Sequence, residues 1–279
     1  MFKKLLIATS LICTAEAVQI EKIWESKPHL KVPESVILDS KRDILYAANI
    51  NGKPLDKDSN GFISILGLNG EIKNLKFSEG FNAPKGMAIH NDKLYVSDID
   101  TLKVVMLRNG NILNYYKIKN AKFLNDVAVS KDGTIFVSDY SEGNKAVYKI
   151  KKHKVEKWLD SKDLQNQRPN GLWIQGNDLV VGTKNGTIFK VNMKNKESEI
   201  FTKNIGVNGI DGILAFDDNS YITSDWAGRV FVSDRNKSIK VLDNTKDKIS
   251  AADIWYDSKS KKLYIPTFFD NRILCYEIK

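Results

Sequence analysis

PNG at 169–171 and IDG at 210–212 are nearly the same word. LND at 124–126, PKG at 84–86 and PES at 33–35 are further versions of it. Extended to the right, the words become six comparable segments. They are ESVILDSKRDILYAAN from Glu34, KGMAIHNDKLYVSD from Lys85, NDVAVSKDGTIFVSD from Asn125, NGLWIQGNDLVVGT from Asn170, DGILAFDDNSYITSD from Asp211 and ADIWYDSKSKKLYIPT from Ala252. Their starts lie 51, 40, 45, 41 and 41 residues apart. Each segment begins polar, runs through a short apolar stretch, turns on polar residues or Gly, and re-enters an alternating apolar run. That pattern is strand, tight hairpin, strand.

Further strand-like runs complete each unit, such as KVVMLRN and ILNYYKI after KLYVSD, and RVFVSD and SIKVLD after SYITSD. Four short strands in each repeat of this length define a propeller blade. No stretch shows sustained helical periodicity. The sequence therefore predicts an all-β, six-bladed β-propeller over residues 18–279. The last unit supplies only three strands before Lys279, so VQIEKIWE at 18–25 is expected to pair with it, closing the ring and covering an open edge.

Residues 1–17 read differently. MFKK is basic, LLIATSLICTA is apolar, and AEA at 15–17 fits a small-x-small cleavage site. A secretory leader cleaved after Ala17 is expected, with the mature protein soluble and periplasmic or secreted. The apolar run is short for a permanent span, and Ile12 before Cys13 does not suit a lipid anchor. Without the leader the sole cysteine is Cys275, in the alternating run RILCYEI, so a buried and inert thiol is expected.

The formal net charge is +9. The lysines are scattered, with no arginine-rich tract or basic helix, and a solvated surface is expected rather than a nucleic-acid footprint. No P-loop, no Cys/His cluster for zinc and no G-x-S-x-G elbow occurs. Asp98, Asp139 and Asp225 each follow the second strand of their unit and are read as hydrogen-bonding caps of backbone turns. His90 and His153 are read as surface residues. Tyr140, Trp226 and Phe269 end or follow second strands and are read as packing between blades, with an apolar pocket as the other use.

In a propeller, the residue that opens each innermost strand sits at the mouth of the central channel. Glu34, Lys85, Asn125, Asn170, Asp211 and Ala252 would therefore converge on one space. Two carboxylates and two amide oxygens are hard donors suited to Ca²⁺, with Mg²⁺ or Mn²⁺ as alternatives. The competing reading is that NG and DG are ordinary turn words. Lys85 has three readings: it orients an anionic substrate, it neutralises a carboxylate, or it faces solvent.

With these words the chain resembles the regucalcin/gluconolactonase family (SMP-30/gluconolactonase/LRE), which is related more distantly to paraoxonases and strictosidine synthase. The resemblance rests on Glu34 in PES, Asn125 in an ND word, Asn170 in an NG word and Asp211 in a DG word. It implies a divalent metal held by Glu34, Asn125, Asn170 and Asp211, and hydrolysis of lactones or related esters. Asp211 would be the general base, Glu34 would share the catalytic site, and Asn125 and Lys85 would contact substrate. Phe123 stands where sugar-lactone members tend to carry Arg. Two other functions remain open: a non-catalytic propeller binding a ligand or protein partner on its top face, as NHL-type propellers do, and a metal-free acid/base enzyme using Glu34. A small-molecule substrate is the expected partner, with no nucleic acid and no stable membrane anchor.

Overall fold

The computed structural model describes residues 18–203 and 206–279. The expected leader at 1–17 lies outside the described residues. Six four-stranded antiparallel sheets follow one another along the chain. Blade one is β2 (Pro33–Asp39), β3 (Ile44–Asn49), β4 (Gly61–Gly67) and β5 (Ile72–Phe81). Blade two is β6 (Pro84–His90), β7 (Lys93–Asp98), β8 (Thr101–Met106) and β9 (Ile112–Lys117). Blade three is β10 (Leu124–Val129), β11 (Ile135–Asp139), β12 (Ala146–Lys151) and β13 (Lys154–Leu159). Blade four is β14 (Pro169–Gln175), β15 (Asp178–Thr183), β16 (Ile188–Asn192) and β17 (Ser198–Thr202). Blade five is β18 (Ile213–Ala215), β19 (Tyr221–Asp225), β20 (Arg229–Ser233) and β21 (Ser238–Asp243). Blade six is β22 (Trp255–Asp257), β23 (Lys262–Pro266), β24 (Ile273–Ile278) and, from the other end of the chain, β1 (Ile20–Glu25).

Turn chemistry sets the hairpins. His90 pairs with Lys93 across the two residues Asn91 and Asp92, both at positive φ, 48° and 57°. Lys151 pairs with Lys154 across Lys152 and His153 in the same way. Two consecutive left-handed residues give the turn whose twist matches the flanking strands.

The core lies between the blades. Ala88, Tyr95, Leu102 and Val104 of blade two interleave with Leu124, Val127, Ile135, Val137 and Ile150 of blade three. Phe136 of blade three stacks edge-on to Trp158 and shares a cluster with Leu172, Leu179, Val181 and Phe189 of blade four. Each apolar alternation thus buries one sheet face against the next sheet. Cys275 is fully buried, and burial raises its thiol to about 11, so the inert reading holds.

Ring closure takes the expected route. Ile20 pairs with Ile278, Trp24 with Cys275 and Glu25 with Leu274. Ser26 N donates to the Ile273 carbonyl at 2.9 Å, and Trp24 packs on Tyr264 at 5.9 Å between ring centres. Without β1, the edge of β24 would expose unpaired backbone groups. Deleting residues 18–25 should lower the melting temperature by at least about 5 °C, measured by differential scanning calorimetry; an unchanged value would show that closure contributes nothing.

Candidate functional site

Of the opening residues of the six words, Asn170 and Asp211 are hydrogen-bonded and Glu34 feels the charges of Asp211 and Lys85, and the device that presents them was not read from the sequence. In β6, β10 and β14 the pairing with the next strand skips. Pro84 pairs with Asp98 and Met87 with Val96; Leu124 with Asp139 and Val127 with Val137; Pro169 with Thr183 and Leu172 with Val181. Two residues face one in each case. β2 carries one extra residue between Pro33 and Ser35. In blade five Asp211 N donates to the Ser224 carbonyl at 2.9 Å, while Ser224 N donates to the Gly212 carbonyl at 3.1 Å. These are β-bulges, which bend a strand and re-aim its side chains. The site residues lie inside the bulges rather than ahead of the strands.

The glycines of KG and DG are not turn residues. A Cβ on Gly86 would stand 2.5 Å from Asp126 Cα, and one on Gly212 would stand 2.6 Å from Ile254 N. They let neighbouring inner strands approach to backbone contact. Gly86→Ala should therefore reduce the unfolding free energy by about 1–3 kcal/mol in urea titration, although the new methyl reaches no solvent.

The repeated Ser-Asp pairs hold this geometry. Ser97 Oγ donates to the Asn125 carbonyl of the next blade, and Ser224 Oγ donates to the Ala252 carbonyl at 2.6 Å. Ser138 Oγ accepts from Asp126 N, and Ser224 Oγ from Gly212 N, each at 2.9 Å. Asp98 accepts from Asn82 N and Ala83 N, and Asp139 from Lys122 N and Phe123 N, which pins the linkers entering blades two and three. Asp225 instead binds Arg229 within its own hairpin. The capping reading of these aspartates is what the hydrogen bonds show.

Glu34, Lys85, Asn125, Asn170 and Asp211 are all buried. Asn170 Nδ2 donates to Asp211 Oδ1 at 3.0 Å. Glu34 Oε2, Asn125 Oδ1 and Asn170 Oδ1 are buried acceptors with no hydrogen-bond partner. An orphaned buried polar atom costs about 1–3 kcal/mol, so three on three blades at one mouth mark a place for something that supplies positive charge. Ala252 offers no donor. Lys85 directs its ammonium to the carbonyls of Pro54 and Ala83, at 2.8 and 2.9 Å, and over the Phe123 ring at 5.1 Å. Solvent-facing is therefore not its state. Burial lowers its pKa to about 8 against the opposing pull of Glu34 and Asp98.

The next residue along each word forms a second tier that sequence reasoning passed over: Ser35, Gly86, Asp126, Gly171, Gly212 and Asp253. The signal was available, since this position is small or acidic in every unit. Asp126 accepts from Val127 N and Leu172 N, both at 2.6 Å. Asp253 N donates to the Glu34 carbonyl at 2.9 Å, tying blade six to blade one. Burial, then Asp211, holds the Glu34 carboxyl well above the usual range, with Lys85 opposing and Asp126 adding to the rise. Burial, then Asp126, Glu34 and Asp211, does the same to Asp253. Burial lifts Asp211 to about 6 against its bond from Asn170, and lifts Asp126 to about 7 against its backbone donors. Glu34 and Asp253 both feel the charges of Asp126 and Asp211, which places the four carboxyls in one neighbourhood.

Among the described residues no three His, Cys, Asp or Glu side chains form a metal-holding group by themselves. The donors that meet at the mouth are two carboxylates and two amides. A cavity of about 1330 Å³ opens at the other end of the channel, lined by hairpin turns such as Ser40–Arg42 and Asn91–Asp92, by Trp173 and Trp255, and reaching Asp126 and Asp253. The orphaned oxygens lie at the mouth, not in this funnel. His90 lines the funnel and His153 contacts Tyr116 on the surface, so neither histidine serves the mouth. Trp226 of blade five meets Phe268 and Phe269 of blade six edge-on, so the expected contact between blades is present, while Trp226 and Phe269 remain 49% and 66% exposed.

Fold and mouth together define a six-bladed β-propeller with an acid- and amide-lined channel. No family model and no curated protein matches the chain. Solved structures do match. A streptogramin B lyase aligns over 94% of this chain and 98% of its own at a TM-score of 0.66 and 14% identity. The extracellular domain of a hybrid two-component system from B. thetaiotaomicron aligns over 87% of this chain and 33% of its own, at 0.56 and 15%. At these identities the likeness establishes the fold. No described helix is long and apolar enough to cross a membrane.

The raised carboxyls have a consequence for stability. Between the ordinary value of 3.8 and the raised values of about 6 for Asp211 and about 7 for Asp126, the folded state holds protons that the unfolded state has released. Stability therefore falls as pH rises through that window. With a chelator present, the melting temperature should drop between pH 5 and pH 8. Added Ca²⁺ should restore it more at pH 8 than at pH 5.

Proposed function

We propose that the protein is a divalent-cation-dependent hydrolase of lactones or related esters, with Ca²⁺ the best-suited ion and the reaction at the channel mouth. The observation that carries this is the convergence of Glu34 Oε2, Asn125 Oδ1 and Asn170 Oδ1, three buried oxygens without partners, beside the Asp211 carboxylate. This donor set is hard, oxygen-only and spread over blades one, three, four and five, which suits Ca²⁺. The words that carry it are those shared with the regucalcin/gluconolactonase family.

Such a cation would supply Lewis-acid polarisation of the substrate carbonyl and stabilise the charge developing on its oxygen. Asn170 donates through Nδ2 to Asp211 Oδ1, which leaves its own Oδ1 without a partner and fixes the Asp211 carboxylate. Asp211 Oδ2 then takes the proton of the attacking water. Asn125 Oδ1 orients the bound species, and Glu34 supplies the second negative charge. Lys85 holds the wall beside Glu34 and, with its ammonium engaged by two carbonyls, does not reach a substrate. The product is a hydroxy acid or an acid and an alcohol. A leader over residues 1–17 would place this chemistry in the periplasm or outside the cell.

Thermal melts with EDTA and then Ca²⁺ test the site. The ion should raise the melting temperature of the native protein by about 5 °C or more and leave Glu34→Gln and Asp211→Asn unmoved. A panel of aliphatic lactones and aryl esters should then be turned over only with the ion. Asp211→Asn should lower the rate by about 10²-fold or more. Cation binding without turnover of any compound would favour the ligand-binding propeller instead.

A further inference from the structure

Two walls of different chemistry rise above the mouth. On one side, Lys85, Phe123, Tyr140 and Arg168 form a continuous stack running from blade two to blade four. The ammonium of Lys85 lies 5.1 Å from the Phe123 ring centre. Phe123 meets Tyr140 edge-on at 5.8 Å and 85°. The Arg168 guanidinium lies over the Tyr140 ring at 4.8 Å. Arg168 is two residues before Asn170, on the linker that enters β14, so its backbone is anchored beside a proposed cation ligand. Tyr140 sits close enough to Asp211 to feel its charge.

Arg168 is unlike most arginines of the chain. Arg42, Arg229, Arg235 and Arg272 pair with carboxylates. Among the described residues Arg168 makes no ion pair and no side-chain hydrogen bond, although it is only partly exposed. Its five donors, pre-organised by stacking on Tyr140, match a planar carboxylate.

The opposite side is apolar. Blades five and six face blades two and three across a six-membered ring, and there Trp226 of blade five and Phe268 and Phe269 of blade six meet edge-on at 4.8 to 6.0 Å. Phe268 packs with Val32, Ile50, Ala83, Ile99 and Ala252 in a collar over blades six, one and two. It holds φ at 55°, an unfavourable backbone state for a bulky residue, and such strain persists only where surrounding structure enforces it. Trp226 and Phe269 leave ring surface open to solvent at the rim.

We infer that the mouth selects amphipathic anions: Arg168 on its Tyr140 platform binds a carboxylate of the ligand, while Trp226, Phe268 and Phe269 take an aromatic or alkyl portion across the opening. This names the substrate class for the function proposed above, and its location rests on that reading. Substrates would be lactones or esters that carry a free carboxylate together with an apolar flank.

The test reads binding, not turnover. Isothermal titration in Ca²⁺ buffer compares 4-phenylbutyrate with its neutral amide on the native protein, Arg168→Gln and Trp226→Ala. The acid should bind the native protein more tightly than the amide. Arg168→Gln should reduce that acid-over-amide ratio by roughly tenfold and leave amide affinity unchanged. Trp226→Ala, at an exposed position, should weaken both compounds alike. Equal affinity of acid and amide for the native protein overturns the inference. So does a ratio that survives Arg168→Gln, or the absence of binding by both compounds. A protein that shows the expected ratios but hydrolyses nothing keeps this subsite and loses the hydrolase reading.

Discussion

Four carboxyl groups, Glu34, Asp126, Asp211 and Asp253, are buried in one channel beside the ammonium of Lys85. An unpaired buried charge is expensive, so such a group takes up a proton or finds a cation. The raised carboxyls express the first answer, and the orphaned oxygens at the mouth suit the second. The channel cannot relax by widening. Gly86 and Gly212 bring the inner strands into backbone contact, and Asp253 N is bonded directly to the Glu34 carbonyl. The same closeness that makes the ring rigid confines the charge.

Rigidity at the mouth comes from a repeated pair of side chains. Serine at the end of a second strand ties a bulge, or reaches the neighbouring blade's carbonyl; the aspartate after it ties the incoming linker. The bulge then presents two successive residues where a regular strand would alternate them. Each blade therefore contributes to both an upper and a lower tier. The scaffold is shared, but its occupants differ: carboxylate from blades one and five, amide from three and four, ammonium from two, methyl from six. A common backbone with unequal side chains is how a symmetric ring makes an asymmetric site.

The two ends of the channel have separate characters. The funnel end is wide, walled by hairpin turns whose charges are largely satisfied, as in Lys41 and Arg42 with Asp39 and Asp92. The mouth has unsatisfied oxygens below and a divided rim above. One rim wall ends in a guanidinium without an acid partner, and the other is aromatic. A ligand at the proposed site would meet positive charge, apolar surface and the acid-lined floor together, which would make orientation a property of the site.

The repeat, the blade count and the closing strand were legible from sequence because they depend on local alternation and spacing, which a single chain displays directly. The residues at the mouth were legible for the same reason: a fixed register in a repeat fixes a fixed place in a ring. Ala252 and Lys85 mark where that reasoning stopped. Whether an ammonium turns toward a ligand or toward the carbonyls of Pro54 and Ala83 depends on a loop from another blade. Asp126 and Asp253 enter the channel only because bulges and inter-strand bonds turn consecutive residues inward. Arg168 gains its place by stacking on a tyrosine of the preceding blade. Sequence determined the ring and its inward-facing register through short-range periodicity. Tertiary structure decided which charges go unpaired, because pairing is settled by groups that are distant in the chain and adjacent only when the ring has closed.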